Sequence, residues 1–362
     1  MHGQAYGISV NASDTVLIRN NVISNSDAGI SLNGGPFIVE GNRISGNKIM
    51  RYDFYGIAAS CSNSILANNY ILCDNSYVTA TGIQLNQCSN TTLAFNTSNI
   101  ICNREKSKSI EVIGGHDLKI KNNIFSNSLD GFPACINTFP ANSSMDYNDY
   151  YSPRNNIGTF NGTNYFTFNS WQEAITDESH GIFSCPFFED DINVTPHQIL
   201  LNNTGIPVPG IAYDIDSSMR NLTNPDIGAK EFSSCTVDAG INFIKEPTNP
   251  LVPGAQNIMV VLQNQGTSSL TSATINWQVN GSLQTPFQWT GFLDSGQNIE
   301  IVIGTYIFHS AVIYQIKSWT SNPNNGADCD NFNDTIESRI FYTKLCGNYT
   351  IGGEVADFQS LG

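Results

Sequence analysis

The residues best suited to chemistry lie in one short stretch between positions 105 and 121. It is the one basic region of an otherwise acidic chain. It supplies a candidate ligand-binding set of cationic, acidic and imidazole side chains: Lys106, Lys108, Glu111, His116, Lys119 and Lys121. Cleavage of a polyuronate would need a cationic base with acidic calcium ligands, and glycoside hydrolysis would need paired carboxylates. We interpret the stretch as a solvated face with polysaccharide binding as the alternative, and we assign no catalytic residue.

A second group of oxygen donors lies near the end of the chain. Its members share one short segment: Asp328, Asp330, Asn331, Asn333 and Asp334. Calcium prefers such ligands, but the spacing fits no EF-hand loop. Aspartate and asparagine also cap their own turns. We therefore predict a self-capping turn, expect neither a metal nor a cofactor, and leave calcium binding open.

The overall charge narrows the classes of partner. The chain has 362 residues and a formal net charge of −15. An acidic surface argues against nucleic acid, because phosphate binding needs basic side chains. No run approaches the roughly 20 apolar residues of a membrane span, and no secretory signal opens the chain. We expect a monomeric segment of a longer exported protein, secreted or on the cell surface, with no membrane insertion in this segment.

The elements that position these residues are set by a repeat. A short Gly-Ile-like motif recurs with a period of about 21 to 27 residues, which indicates a stacked solenoid. The copies begin at Tyr6, Ala28, Tyr55, Thr81, Lys108 and Ala134. Each copy reaches an asparagine in matching register: Asn21, Asn42, Asn69, Asn96, Asn123 and Asn148. We predict that these asparagines form both the corners and a hydrogen-bonded ladder along the axis.

Within each copy, apolar residues alternate over short runs bounded by turn formers, which predicts strands. Asn21-Val22-Ile23-Ser24-Asn25 and Asn123-Ile124-Phe125-Ser126-Asn127 are typical. This sequence pattern resembles that of the right-handed parallel β-helix repeat proteins over roughly residues 5–150. The resemblance implies an all-β solenoid, but the fold hosts lyases, hydrolases, epimerases and adhesins alike. Gly115-His116-Asp117 departs from the Gly-His-Gly of the hydrolases, and the Asp-Pro-His-Asp of alginate epimerases is missing.

A capping region is predicted at about 150–234. Ser170 and Glu173 have the spacing of a helix capping box. The sequence of residues 226–231 resembles the Asp-Ile-Gly-Ala-x-Glu motif at the C-terminal end of bacterial β-helix modules. We predict an ion-paired cap over the last coil, because that coil exposes an unpaired strand edge. Its members are Asp214, Asp216, Arg220, Asp226 and Glu231, with metal or substrate binding by the aspartates as the alternative.

The repeat stops near residue 234, and a second domain is predicted at 235–346. Regularly spaced strands and the Asn280-Gly281 hairpin signal indicate a small immunoglobulin-like β-sandwich. It resembles the adhesion-type modules of bacterial surface proteins. Residues 347–362 resemble the start of a further module in large secreted proteins of the Bacteroidota type.

The chain has nine cysteines. Cys61 and Cys88 are predicted to share a register in consecutive repeats, as are Cys73 and Cys102. Stacked strands lie close enough for either buried thiols or disulfides, so both alternatives remain open.

These observations favour a non-catalytic segment of a modular secreted or cell-surface protein that binds an extracellular polysaccharide or another surface protein. The alternatives are a polysaccharide lyase or glycoside hydrolase and a purely structural stalk.

Overall fold

A computed structural model describes residues 6–342, apart from residues 25, 47–51, 75–77, 103, 130, 155, 176, 190–194, 249, 311 and 339–340. The backbone divides into two compact units, Met1–Ser234 and Cys235–Gly362. The predicted start of a further module at 347–362 lies outside the described residues. In the part of the chain that is described, no helix is long and apolar enough to cross a membrane.

The first unit is a parallel β-solenoid in which each coil passes through three sheet faces. The first face is formed by β1 (Tyr6–Ala12), β4 (Ala28–Gly34), β7 (Phe54–Cys61), β10 (Ala80–Ala94), β12 (Lys108–Lys121), β14 (Phe132–Thr138) and β17 (Gly158–Phe160). The second face contains β2 (Val16–Arg19), β5 (Phe37–Glu40), β8 (Ile65–Ala67), the later halves of β10 and β12, and β15 (Ser144–Asp146). The third contains β3 (Val22–Ser24), β6 (Arg43–Gly46), β9 (Tyr70–Asp74), β11 (Thr97–Ile101), β13 (Ile124–Asn127) and β16 (Asp149–Tyr151). The predicted parallel solenoid is therefore confirmed.

Columns of identical or similar side chains build the core of the first unit. Ile30, Ile57, Ile83 and Ile110 lie opposite one another in successive strands and are fully buried. Each buried isoleucine contributes about 1.5–3 kcal/mol relative to an exposed one. The sixth copy was predicted to begin at Ala134, in register with Lys108, but Ala134 lies opposite Ile110 and continues this column. The offset of two residues keeps the same side chains pointing inward, because strand faces alternate with period two.

The corners of the solenoid differ from the prediction. The left-handed backbone conformation falls on the residue before each ladder asparagine, and the ladder asparagines themselves do not have positive φ. These corner residues are Asn20, Gly41, Asn68, Phe95, Asn122 and Tyr147. Corner and ladder are thus formed by neighbouring residues. The separation leaves the ladder side chain free to point along the axis.

The last coil is covered by a hairpin and a helix. β17 pairs with β18 (Thr163–Tyr165), and α1 (Phe168–Ile175) follows. Trp171 on this helix is fully buried against Tyr150 and Gly158, where a side chain on the glycine would collide with the indole. The helix begins before the predicted Ser170, because the Thr167 hydroxyl accepts the Ser170 amide proton.

The second unit is a β-sandwich. Its first sheet has the order β19 (Ala239–Glu246), β20 (Gly254–Asn264) and β24 (Asn298–Phe308). Its second contains β21 (Leu270–Val279), β22 (Ser282–Leu283), β23 (Phe287–Leu293), β26 (Ile316–Ser321) and β27 (Thr335–Glu337), while β25 (Ile313–Tyr314) pairs with β28 (Phe341–Tyr342). Apolar residues of both sheets, including Ile241 and Trp277, share one core. Asn280 and Gly281 both have positive φ, as a type I′ hairpin requires.

Candidate functional site

The asparagine ladder runs along the inside of one corner of the solenoid. The Nδ2 and backbone N of Asn69 both donate to Oδ1 of Asn96, at 2.9 and 3.0 Å. Asn96 donates in the same way to Asn123, at 3.0 and 2.9 Å. Nδ2 of Asn96 also donates to the carbonyl of Leu66 at 2.9 Å. The ladder therefore satisfies buried polar groups in every coil it crosses, which is a structural role.

The ladder ends on a residue that carries no repeat signal. Oε1 of Glu178 accepts the backbone N–H of Asn148 at 3.1 Å, and Oε2 accepts the Tyr150 hydroxyl at 2.7 Å. Glu178 is fully buried, and burial raises its pKa to about 8. Sequence reasoning missed it, because its position follows the helix and falls outside the period.

The predicted cap lies along the side of the solenoid and not over its last coil. Residues 199–232, here called the flanking segment, contact corner residues of several coils. The Arg220 side chain is buried at 3% exposure, donates to Oδ1 of Asn68 at 2.7 Å and pairs with Glu231 at 2.8 Å. Its guanidinium carbon also lies 3.9 Å from the centre of the Phe95 ring. Asn122 exchanges two hydrogen bonds with Ile206, which attaches the segment one coil further on.

The aspartates of the flanking segment bind their own backbone. Oδ1 of Asp214 accepts the amides of Asp216 and Ser218 at 2.9 and 2.7 Å. The two carboxylate oxygens of Asp226 accept the amides of Asn203 and Phe232, both at 2.6 Å. Burial raises the pKa of Asp226 to about 7. The Asp214 carboxylate therefore stabilises a turn, and the Asp226 carboxylate joins two separate parts of the flanking segment.

Asp216 is the most exposed of the five residues of the predicted cap. It pairs with Arg43 of the solenoid at 2.6 Å and with Lys230 at 3.1 Å. This residue ties the flanking segment to the third face of the solenoid.

The basic stretch is divided by a corner of the solenoid. Lys108 and Glu111 precede the corner and form an ion pair of 2.5 Å. Gln84, one coil earlier, donates to the other oxygen of Glu111 at 2.7 Å. Lys106 is exposed in the turn before β12. Of the six predicted ligand-binding residues, therefore, the structure brings Lys108 and Glu111 together before the corner.

The remaining members lie at or beyond the corner. His116 is exposed and its Nδ1 lies 2.7 Å from Oδ2 of Asp117. Lys119 is exposed and Lys121 is half-buried on the later half of β12, opposite Ser144 and Asp146 of the next coil. They belong to the second face, whereas Lys108 and Glu111 belong to the first.

An aromatic side chain lies on the first face two coils before the ion pair. Tyr55 occupies the same column as Lys108, separated from it by Thr81. It is half-buried, and burial followed by the charges of Asp53 and Glu111 raises its pKa. We define Tyr55, Gln84, Lys108 and Glu111 as the platform.

Three carboxylates converge at one end of the sandwich, and we define Asp238, Asp328 and Asp334 as the aspartate cluster. One ligand atom from each lies within 4.8 Å of the others. Burial raises the pKa of Asp238 and of Asp334 to about 8. Sequence reasoning found the loop of Asp328 and Asp334 but missed Asp238, which precedes β19 far away in the sequence.

The loop also contains the predicted self-capping turn. Oδ1 of Asp328 accepts the Asp330 amide at 3.2 Å, and Oδ1 of Asp330 accepts the Phe332 amide at 3.0 Å.

Four cysteines of the solenoid are buried thiols that contact one another in pairs. The sulfur atoms lie 3.5 Å apart in Cys61 and Cys88, and 3.4 Å apart in Cys73 and Cys102. Cys73 lies opposite Ile100, so the second pair does not share the predicted register.

The protein therefore belongs to the all-β class, with a parallel solenoid followed along the chain by a β-sandwich. Residues 1–170 match the protein family described as right handed beta helix region, and this match agrees with the parallel solenoid of the first unit. A search of the curated proteins found no match.

Among solved structures, the chain is similar to the CARDB domain of the PF1109 protein from Pyrococcus furiosus, solved in complex with di-metal ions. The two are 15% identical, with a TM-score of 0.25, and the match covers 32% of this chain and 97% of that one. A TM-score this low supports no inference about this chain.

Proposed function

We propose that this chain is a non-catalytic segment of a modular secreted or cell-surface protein whose solenoid binds an extracellular polysaccharide. The observation that carries the proposal is the platform on the first face. There, a half-buried tyrosine borders a row of polar groups already joined to one another by hydrogen bonds. An amphipathic aromatic ring beside fixed donors and acceptors suits a sugar ring with its hydroxyls.

The column that contains Gln84 and Glu111 continues onto the earlier coils. In register it contains Ser9, Ser31, Ala58, Gln84 and Glu111, so four of these five side chains are polar. Because successive strands lie about 4.8 Å apart, the face repeats its hydrogen-bonding groups along the axis. A chain of similar sugar units is the ligand that such a repeating face fits. The sandwich, which we propose to be immunoglobulin-like, would serve as a further interaction or spacing module.

Affinity electrophoresis of the full chain through gels containing pectin, alginate or neutral glycans tests this function. We expect retardation by at least one glycan. Tyr55→Ala should weaken it by about tenfold or more, the equivalent of ~1.4 kcal/mol. Arg19→Ala is the matched control, because Arg19 is exposed on the second face. Absence of retardation by every glycan would contradict the proposal and favour a structural stalk.

Incubation of the chain with the same glycans in solution tests the catalytic alternative, which rests on the exposed His116–Asp117 pair. Release of reducing ends or of unsaturated products, lost in His116→Ala, would replace binding with catalysis. We expect no such release.

A further inference from the structure

The aspartate cluster is assembled from two distant parts of the second unit. Asp238 immediately precedes β19, whereas Asp328 and Asp334 belong to the loop between β26 and β27. Their ligand atoms lie within 4.8 Å of one another. Three carboxylates at this separation repel one another when ionised, so an uncompensated cluster destabilises the fold.

Asp238 has no compensating cation among the described residues. This residue is only 3% exposed, and its Oδ1 has no hydrogen-bond partner. Its Oδ2 accepts one hydrogen bond, from Nδ2 of Asn333 at 2.9 Å. In the described part of the chain, no lysine, arginine or histidine forms an ion pair with any of the three carboxylates. A buried carboxylate oxygen without a donor is costly unless a proton or a metal cation neutralises it.

The other two carboxylates are oriented by their surroundings. Asp328 accepts the amide of Ala239 at 3.3 Å through Oδ2 and that of Asp330 at 3.2 Å through Oδ1. Oδ1 of Asp334 accepts the Thr320 hydroxyl at 3.1 Å. These contacts hold both side chains in place without adding positive charge. The cluster is therefore a preorganised set of oxygen acceptors.

We propose that the aspartate cluster binds one hard divalent cation, Ca²⁺, which joins the 328–334 loop to the start of β19. Calcium takes oxygen ligands at about 2.3–2.6 Å, so two of its ligands can lie up to about 4.6–5.2 Å apart. The three ligand atoms lie within 4.8 Å of one another, so a single calcium ion can reach all of them. Magnesium, with bonds of about 2.0–2.1 Å, demands a tighter octahedral arrangement and keeps several waters. Zinc favours nitrogen and sulfur donors. This inference is independent of glycan binding by the solenoid.

Calorimetric titration of the full chain with CaCl₂ tests the proposal, after chelator treatment and in salt near physiological strength to screen the acidic surface. We expect a specific site of one Ca²⁺ per chain. Asp328→Asn should weaken its affinity by about tenfold or more, because ligand charge tunes calcium affinity. Asp328 is half-exposed, so the substitution leaves the sandwich core intact. Asp294→Asn, at an exposed aspartate of the same unit, is the matched control and should bind as the parent does.

A second measurement keeps the test independent of folding defects. Calcium should raise the unfolding temperature of the parent and of Asp294→Asn, and should raise that of Asp328→Asn much less. The proposal is overturned if the folded parent binds no Ca²⁺ at this stoichiometry, if Asp328→Asn binds it equally well, or if Mg²⁺ or Zn²⁺ binds the site more tightly.

Discussion

Glu178 occupies the place that the next asparagine would take below Asn148. Its Oε1 accepts the backbone N–H of Asn148 at 3.1 Å, the contact that Oδ1 of each asparagine makes with the preceding one. Nδ2 of Asn148 lies 3.4 and 3.3 Å from the two carboxylate oxygens. A buried acid from the segment after α1 thus ends the ladder, and this arrangement explains how its last side chain is satisfied without another coil.

The centre of the ladder should be the most sensitive part of the solenoid to polar truncation. Asn96→Ala removes the acceptor of Asn69 and the donor to Leu66, and it leaves buried groups unsatisfied. We expect the free energy of unfolding to fall by about 2–4 kcal/mol. Urea unfolding followed by circular dichroism would measure this change.

Asn33→Ala is the control for the ladder, because Asn33 is exposed on the first face. It should change stability by about 0.5 kcal/mol or less. Equal losses of unfolding free energy in Asn96→Ala and Asn33→Ala would show that the buried ladder does not contribute to stability.

Glu178 should make stability fall as pH rises. Its pKa is raised from 4.5 in the unfolded chain to about 8 in the folded protein by burial. Below about pH 4.5 both states are protonated and the contribution is fully present. Between these values only the unfolded state releases the proton, so folding is disfavoured by about 1.4 kcal/mol per pH unit. The contribution is lost once the pH has passed the folded pKa.

Glu178→Gln isolates this effect from other titrating groups. The stability of the variant relative to the parent should rise with pH between about 5 and 8 and then become constant. Denaturant unfolding at a series of pH values measures the difference. A difference that stays flat across this range would mean that Glu178 is not a buried acid.

Arg220 should be the most important residue of the flanking segment. Arg220→Ala leaves Glu231 without its partner and removes the contact with Asn68, so we expect a loss of about 3–5 kcal/mol. Arg19→Ala breaks an exposed pair with Glu40 and should cost about 1 kcal/mol or less. Limited proteolysis would show whether residues 199–232 become accessible only in the first variant, and cleavage at equal rates would refute this role.

The thiols should differ sharply in reactivity. Cys329 is exposed, whereas Cys61, Cys73, Cys88 and Cys102 are buried. A maleimide should modify Cys329 in the native protein and these four buried cysteines only after unfolding, because reaction needs an accessible thiolate. Peptide mass spectrometry locates the adducts. Rapid native labelling of Cys88 would contradict the buried thiol contact.

The repeated elements were predictable because the same sequence pattern recurs in several copies, and each copy supports the same structural prediction. The recurrence of Asn69, Asn96 and Asn123 at a constant interval indicates a ladder, since stacked coils place equal positions in one column. The alternation of apolar residues, repeated in every copy, predicted the strands in the same way. The register at Ala134 was misplaced, because a shift of two residues preserves the inward pattern and leaves no trace in the alternation.

The platform and the aspartate cluster show the limit of this reasoning. Lys108 and Glu111 lie within one strand, so their pairing was accessible from sequence, whereas the contribution of Tyr55 depends on stacking across two coils. Asp328 and Asp334 were visible as a dense loop. Asp238 was not, because nothing in its local sequence distinguishes it from any surface aspartate.

The amino-acid sequence by itself determined the solenoid, its period, its ladder and the change to a second all-β domain, because these features repeat or alternate locally. Only the tertiary structure decided that Glu178 ends the ladder, that Arg220 lies against the side of the coils and that Asp238 completes a cluster of carboxylates. Each of these contacts joins segments far apart in the chain. Such contacts depend on how distant segments pack together in the tertiary structure, and a local sequence period contains no information about that packing.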